Sequence, residues 1–334
     1  MIRPNRALAC DRPLETVFAQ PMAEDSGPDD SFGVRAAVQL PDGSLVVAYD
    51  PDAPTAGDET NLGSPRLVEL TSDGTVTEFP LPVIDDRPLQ ASTTPLIADV
   101  VGTLYLYDGE GYLDRNGVAR VVARDADGEW RVVHSLDGDT VVVEPRAAIG
   151  PDGDLYLATI SSVLRFGPDG QPRTIAGATN VRSSDIDYPE SPVRPEPLPA
   201  TTVQLPRLTG LVVGDDGVVY LATEKQVLRI GLDGILSVLA SIGKVGEVEP
   251  GQIAIPLDNP GEVSLFTELA MDADGSLLLA DTGQQRLIRI GESSSEVLLT
   301  NISSVENGTI VGRPPSTDLL VYQGGGDVLC RYVG

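Results

Sequence analysis

The hydrophobic and polar positions of this chain repeat as a cassette: a short apolar run, a tight turn containing Asp-Gly or Gly, and further apolar runs. Five copies begin at Ala37, Leu96, Ala147, Leu211 and Leu269, and a degenerate sixth begins at Asn307. Within each run, Val, Leu, Ile and Tyr follow a period of two, which is typical of strands. One cassette cannot bury its own apolar faces, so the repetition predicts an array of small sheets around a shared axis.

Each cassette continues into a fourth apolar run, so each unit is predicted to be a four-stranded antiparallel meander. We therefore predict an all-β fold, a single six-bladed β-propeller that spans residues 1–334. The blades are expected at about 33–82, 93–136, 144–177, 206–240, 265–299 and 303–334. The last unit supplies only three strands. The segment from Leu14 to Phe18 has the length to supply the fourth and to close the ring.

The tight turns and the long connections are predicted to lie at opposite ends of the sheets. Asp-Gly pairs join the first strand to the second and the third to the fourth, because Asp caps its own backbone and Gly accepts a positive φ. The longer connections emerge together at the other end. Loops on a rigid scaffold carry most binding sites, so we expect the site there. The proline-rich insertion at 183–206 is a lid, a docking strip or a plain surface excursion.

The charge and the apolar content narrow the classes of partner. The chain has 50 acidic and 23 basic residues, a formal net charge of −27. Such a field repels phosphate backbones and anionic lipid, so we predict no nucleic-acid partner and no membrane partner. No apolar run reaches the length of a membrane span or resembles a secretory leader, so a cytoplasmic location is predicted. The protein is also expected to be a monomer. Cys10 and Cys330 are expected to stay as thiols, although the closing strand would bring them into one sheet.

The number and the position of histidine residues argue against histidine-based chemistry. The chain has one histidine, His134, in the segment WRVVHSL, which is predicted to be an outer strand. A zinc site built from several imidazoles cannot form with it, and a nucleophile would need its base in the pocket. We therefore expect His134 to be an ordinary edge-strand residue.

Residues that begin the first strand of a unit, or end the second, are expected to ring the axial opening at the loop-bearing end. The candidates for ligand binding are Arg35, Asp50, Asp108, Arg146, Glu224, Glu268, Asp281 and Glu306, and the hydroxyls of Thr94, Thr159 and Thr209 fall in the same ring. Oxygen ligands from several blades suit Ca²⁺ or Mg²⁺, and the candidate metal ligands are Asp50, Glu268, Glu306 and Asn307. Alternatively, Arg35 and Arg146 neutralise these carboxylates or bind a ligand that carries a carboxylate.

The segment LLLADTGQQRLIRI, residues 277–290, resembles an NHL-type propeller repeat, with Asp281, Thr282, Gly283 and Arg286 at the characteristic places. The resemblance extends at low specificity over residues 33–300, and the third and fourth units keep the arginine but lack Asp-Thr-Gly. It implies a six-bladed propeller in which the Arg286 position is structural. NHL-like and related propellers include protein-interaction domains, amidating lyases, gluconolactonase-like hydrolases and strictosidine-synthase-like proteins.

Two functions from different classes remain. The first is a recognition or scaffold propeller that binds a protein, a peptide or a small ligand on its loop-bearing end. The second is an enzyme, either a metal-dependent hydrolase of lactone or ester type or a lyase or cyclase, with carboxylates at the channel mouth.

Overall fold

The computed structural model describes the chain in segments. These are residues 14–19, 33–50, 66–71, 73–79, 81, 83–84, 87–89, 96–108, 119–125, 127–136, 146–159, 162–177, 193, 196–243, 248–249, 251–256, 266–272, 274–291, 293–300, 310–311, 319–323 and 328–332. The described residues form strands, turns and two single-turn 3₁₀ helices, Ala200–Thr202 and Thr282–Gln284, with no α-helix among them. No helix within these segments is both long and apolar enough to cross a membrane.

The strands follow the predicted cassettes in chain order. The first part of the chain forms β1 (Leu14–Ala19), β2 (Gly33–Gln39), β3 (Leu45–Asp50), β4 (Arg66–Leu70), β5 (Val76–Phe79), β6 (Val83–Ile84), β7 (Arg87–Pro88), β8 (Leu96–Ala98), β9 (Leu104–Asp108), β10 (Ala119–Arg124) and β11 (Trp130–Leu136). The middle forms β12 (Arg146–Ile149), β13 (Leu155–Ala158), β14 (Val163–Phe166), β15 (Pro172–Ala176), β16 (Leu198–Pro199), β17 (Leu208–Val213), β18 (Val219–Thr223), β19 (Gln226–Ile230), β20 (Ile235–Ile242) and β21 (Ile253–Ile255). The last part forms β22 (Phe266–Met271), β23 (Leu277–Asp281), β24 (Arg286–Ile290), β25 (Ser295–Thr300), β26 (Ile310–Val311), β27 (Leu319–Gln323) and β28 (Val328–Tyr332).

The predicted antiparallel meander is confirmed, but the predicted number of four-stranded blades is wrong. The described residues form five four-stranded blades rather than six: β2–β5, β8–β11, β12–β15, β22–β25, and β26–β28 with β1. The segment expected as a further blade of this kind is a six-stranded sheet, because β16 and β21 both pair with β20. β16 joins antiparallel at Leu198–Leu236, and β21 joins parallel at Ala240–Ile253.

Closure by the N-terminal segment is confirmed. β1 pairs antiparallel with β28, which pairs with β27, and β27 pairs with β26. Cys330 lies opposite Thr16 in this sheet. Cys10 lies outside the described residues, so its predicted thiol state stays a prediction.

The Asp-Gly turns form as their chemistry predicts. Gly43 and Gly153 have φ of 87° and 82°, a region that glycine enters without strain. In the first turn, the Asp42 carboxylate accepts a hydrogen bond from the backbone N–H of Ser44 at 2.9 Å. The aspartate therefore caps the turn that the glycine allows.

The chain divides into two compact units, residues 1–110 with 120–133 and 302–334, and residues 111–119 with 134–301. In the second unit, the inner strands β12, β17 and β22 are neighbours. One apolar cluster joins the β12–β15 sheet to the six-stranded sheet, and a second joins the six-stranded sheet to the β22–β25 sheet. The first unit has a separate cluster between the β2–β5 and β8–β11 sheets.

The described part of the proline-rich insertion is built into the second unit. The buried side chain of Gln226 donates to the backbone carbonyl of Val193 at 3.2 Å and accepts from its N–H at 2.8 Å. Ala200 is fully buried, and its N–H donates to the Gly234 carbonyl at 2.9 Å. Residues 193 and 196–206 are therefore held against the sheet, and residues 183–192 lie outside the described segments.

Candidate functional site

Two of the predicted site carboxylates are buried in ion pairs within their own blades. Asp108 ends β9 and Asp281 ends β23, and both are 0% exposed. Arg120 donates through Nε to Asp108 at 2.5 Å, and Arg286 donates through Nε to Asp281 at 3.0 Å. Each arginine lies directly opposite its aspartate; Arg286 is the first residue of β24 and Arg120 is the second residue of β10. Burial of both charges together avoids the large cost of burying either one alone.

At the end of the second strand in two other sheets, neutral hydrogen bonds take the place of the ion pair. At the end of β13, the Thr159 hydroxyl accepts from the Ser162 N–H at 3.1 Å. At the end of β18, the Thr223 hydroxyl accepts from the Gln226 N–H at 3.0 Å. Glu224 follows Thr223 and is exposed. In these four sheets, a side chain at or directly after the end of the second strand therefore binds a residue at or beside the start of the third strand.

The starts of three inner strands share an irregularity in pairing. β2, β17 and β22 each shift register near their first residues, with Arg35, Thr209 and Thr267 at the extra positions. Such a bulge sets one additional residue against its partner strand. Glu268 comes one residue later and pairs with Ala280, as Gly210 pairs with Ala222. Glu268 is therefore equivalent to Gly210 rather than to Thr209.

In the second unit, contacts between the inner strands bring three of the candidates together. Arg146 donates through Nε to the backbone carbonyl of Thr209 at 2.8 Å, which joins β12 to β17. A methyl group on Gly210 would lie 2.8 Å from the backbone nitrogen of Leu269 and 3.1 Å from the carbonyl carbon of Glu268. β17 therefore approaches β22 as closely as glycine permits, and Thr209 lies between the strands that carry Arg146 and Glu268.

We refer to Arg146, Thr209, Thr267 and Glu268 as the strand-start cluster. Arg146, Thr267 and Glu268 are half-buried, and each takes part in further interactions. Thr209 is 7% exposed, and its hydroxyl has no hydrogen-bond partner among the described residues. A buried hydroxyl without a partner costs free energy, and among the described residues Gln39 Oε1 is likewise buried without a hydrogen-bond partner.

The remaining candidates are only partly described. Arg35 lies at the bulge of β2, and Asp50 pairs with Gly33 at the end of β3, in the first unit. Glu306 and Asn307 lie outside the described residues. Within the described segments, no group of three or more His, Cys, Asp or Glu side chains could hold a metal ion. The Ca²⁺ or Mg²⁺ site stays a prediction, because two of its four ligands are not described.

Acidic side chains at the turn end accept hydrogen bonds that stabilise the turns. Hydrogen bonds from Ser44 hold the pKa of Asp42 below its usual value. The hydroxyl of Thr71 and the N–H of Thr75 donate to Asp73, which lowers the pKa of Asp73 to about 2. Carboxylates that accept such bonds stay ionised because the bonds favour the charged form. These side chains stabilise the hairpins, which leaves the loop-bearing end as the better candidate for recognition.

His134 lies in β11, as predicted, and packs on an aromatic ring. Its ring centroid is 4.4 Å from that of Phe166, with an interplanar angle of 30°. Burial lowers the pKa of His134, since desolvation disfavours the imidazolium. The single histidine is therefore a neutral packing residue near neutral pH.

Comparison with known structures agrees with the fold. The chain is 14% identical to virginiamycin B lyase from Staphylococcus aureus, with a TM-score of 0.51 over 90% of this chain and 94% of the other. It is also 14% identical to a streptogramin B lyase, with a TM-score of 0.51 over 95% of this chain and 96% of the other. A candidate gluconolactonase, again 14% identical, gives a TM-score of 0.53 over 98% of this chain and 95% of the other. No protein-family model and no curated protein matches the sequence. The fold is a β-propeller, and likeness at this identity concerns the fold alone.

Proposed function

We propose that this protein is a recognition propeller that binds a protein, a peptide or a small ligand at its loop-bearing end. The observation that carries the proposal is the position of Thr209. Its hydroxyl is buried and has no partner among the described residues, and its strand lies between those of Arg146 and Glu268. The strands on either side of β17 carry the half-buried side chains of Arg146 and Glu268, which a bound ligand can reach. Donors and acceptors beside one another fix the orientation of a bound molecule.

Two further observations support recognition over catalysis. Asp108 and Asp281, which sequence reasoning assigned to the channel mouth, are fully buried and bonded to Arg120 and Arg286. The only histidine stacks on Phe166, away from the strand-start cluster in sequence and in sheet. The net charge of −27 supports a partner other than a nucleic acid or an anionic membrane.

The second candidate is a metal-dependent hydrolase or a lyase. Similarity of fold to structures named as lyases and to a candidate gluconolactonase favours it. In that function, Glu268 would be a metal ligand or an acid or base group, together with Asp50, Glu306 and Asn307. Hard oxygen ligands of this kind suit Ca²⁺ and Mg²⁺.

A thermal-shift series with Ca²⁺, Mg²⁺, Mn²⁺ and Zn²⁺, together with a screen for lactone and ester turnover, tests the proposal. A metal that binds the native state raises the melting temperature by mass action. Recognition predicts no turnover and no saturable metal shift that depends on Glu268. The matched variants are Glu268→Ala and Glu296→Ala, the second being an exposed glutamate on β25. A saturable shift and turnover that Glu268→Ala abolishes and Glu296→Ala retains would overturn recognition in favour of the enzyme.

A further inference from the structure

The hairpin between β10 and β11 differs from the other Asp-Gly turns. Eight Asp-Gly pairs lie in full within the described residues, each at the tip of a hairpin. In seven of them, the aspartate carboxylate accepts a hydrogen bond from the backbone N–H two residues later, at 2.9–3.3 Å. These aspartates are Asp42, Asp73, Asp152, Asp169, Asp216, Asp233 and Asp274. The eighth pair, Asp127–Gly128, is arranged differently.

Asp125 caps this turn in place of Asp127. Its carboxylate accepts from the N–H groups of Asp127 and Glu129, both at 3.1 Å. The N–H of Glu129 is the group that Asp127 would bind if it followed the other seven turns. The Asp127 side chain is exposed, and its carboxylate has no hydrogen bond and no ion pair with any described residue. It can therefore rotate without breaking a bond.

An aspartate that precedes glycine can isomerise by reaction with the backbone. The glycine nitrogen attacks the aspartate Cγ, a C–N bond forms, and one carboxyl oxygen leaves as water. The cyclic imide then takes up one water at its α-carbonyl, where the original peptide bond breaks. The chain now continues through the former side-chain carbonyl as isoaspartate, with no oxidant, cofactor or enzyme required. Glycine favours the reaction because no Cβ shields its nitrogen.

A capped carboxylate is less reactive for two reasons. Turning it toward the glycine nitrogen breaks a hydrogen bond to a charged group, which lowers the population of the reactive geometry about tenfold or more. The cap also favours the carboxylate over the carboxylic acid, and the acid is the better electrophile. At Asp169, for example, bonds from the Gln171 N–H and from Arg173 hold the pKa below its usual value.

The reacting nitrogen has similar surroundings in both kinds of turn, apart from one guanidinium. Gly128 donates its N–H to the Asp125 carbonyl at 2.9 Å, and Gly170 donates in the same way to Gly167 at 2.9 Å, so this bond does not distinguish the two turns. The difference is Arg124, whose Nη2 lies 3.1 Å from the place that a Cβ on Gly128 would occupy. A cation at this place stabilises the amide anion, the form in which the Gly128 nitrogen attacks.

We infer that Asp127–Gly128 is a modification site, at which the folded chain converts aspartate to isoaspartate faster than it does at the capped Asp-Gly turns. The product lengthens the main chain of the hairpin by one carbon, because the backbone then runs through the former side chain. This change would disturb the two bonds that close the turn, from the Glu129 N–H to the Asp125 carboxylate at 3.1 Å and from the Asp125 N–H to the Glu129 carbonyl at 3.2 Å. The turn between β10 and β11 would therefore change while the net charge stays the same.

Peptide mapping of the folded protein after weeks of incubation at mildly acid pH tests this inference. Trypsin cuts after arginine and releases residues 125–131, with Asp127, and residues 166–173, with the capped Asp169, as short peptides that each contain one Asp-Gly pair. Incubation in heavy-oxygen water labels the converted chains, because hydrolysis of the imide adds one oxygen from the solvent. Asp127 is expected to convert at least about tenfold faster than Asp169. In urea, which removes the caps, the two rates are expected to approach each other.

Asp127→Glu is the test variant and Asp169→Glu its matched control, because glutamate forms its larger cyclic imide far more slowly. Asp127→Glu should abolish labelling of residues 125–131, and Asp169→Glu should leave that labelling unchanged. Asn116–Gly117 and Asn307–Gly308 also form imides, so conversion is measured peptide by peptide. The inference is overturned if Asp169 converts as fast as Asp127 in the folded protein, if Asp127 does not convert, or if Asp127→Glu retains the label in residues 125–131.

Discussion

The buried hydroxyl of Thr209 predicts that its removal stabilises the protein. Thr209→Val exchanges the hydroxyl for a methyl group of similar volume at a position that is 7% exposed. A buried polar group without a partner costs about 1–3 kcal/mol, so we expect Thr209→Val to raise the free energy of unfolding by about 1 kcal/mol. For a chain of 334 residues, this corresponds to a rise of about 1–2 °C in melting temperature.

Thr223→Val is the matched control, because Leu208 pairs with Thr223 and the two threonines therefore lie on adjacent strands. Thr223 is 4% exposed, but its hydroxyl accepts from the Gln226 N–H at 3.0 Å. The valine variant leaves that buried N–H without an acceptor. We expect a loss of about 1–3 kcal/mol, opposite in sign to the effect at Thr209.

Urea unfolding, followed by circular dichroism and by the fluorescence of Trp130, measures both variants. If the free energy of unfolding falls with urea concentration at the same slope in each variant, a shifted midpoint reports a change in stability alone. The reasoning is refuted if Thr209→Val destabilises the protein as much as Thr223→Val does. That result would mean that the Thr209 hydroxyl already makes a hydrogen bond in solution and is not available to a ligand.

Three further predictions concern other residues. Gly210→Ala places a methyl group 2.8 Å from a backbone nitrogen, so we expect a loss of about 3 kcal/mol in urea unfolding; an unchanged midpoint would contradict the close approach of β17 and β22. Asp281→Asn leaves Arg286 buried without its counter-charge, so we expect the free energy of unfolding to fall by about 3–5 kcal/mol. The double variant Asp281→Leu with Arg286→Met should recover much of this loss. Equal losses in the two variants would show that the ion pair is not coupled. The pKa of Asp73 is lowered to about 2, so the stability that its carboxylate gives the turn is present above the unfolded pKa and is lost as pH falls toward 2. An NMR titration of this carboxyl group with a midpoint near 4 would contradict the hydrogen bonds from Thr71 and Thr75.

The parts of the fold that were predictable are those with a local chemical cause. Asp-Gly pairs predict tight turns, and alternating apolar residues predict the strands that flank those turns. The pairing of β1 with β28 was predictable because an incomplete blade leaves an open edge that a strand of the right length can cover. The two additional strands of the six-stranded sheet were not, since β16 and β21 have two and three residues, too few to show a period.

The register predicted for the start of β22 differs by one residue from that of the structure. Counting back from the turn glycine gives the same interval of eight residues for Arg35 before Gly43, Thr209 before Gly217 and Thr267 before Gly275. Glu268 stands one place closer to its turn, so the bulge assigns Thr267 to the shared position. A register error of one residue exchanges the two faces of a strand, and hydrophobic periodicity alone does not reveal where a bulge adds a residue.

The burial of Asp108 and Asp281 could not be predicted from the sequence, because it depends on contacts between strands. The sequence shows each aspartate at the end of a strand, which is equally consistent with a channel-facing carboxylate and with a structural pair. The deciding contact is the arginine opposite it, Arg120 or Arg286, whose Nε donates to the carboxylate. For Asp281, the resemblance to the NHL repeat already implied a structural role for Arg286. For Asp108, no such motif marked Arg120.

The crystal structure of the protein soaked with small polar probes tests the central claim most directly. Sodium acetate, methylammonium chloride, acetamide and isopropanol would each be soaked separately into crystals. The account predicts that probes occupy the strand-start cluster, with at least one within hydrogen-bond distance of Thr209 Oγ1 and others beside Arg146 or Glu268. Probes found only around the turn aspartates Asp42 and Asp274, with Thr209 Oγ1 bonded to the protein itself, would contradict it.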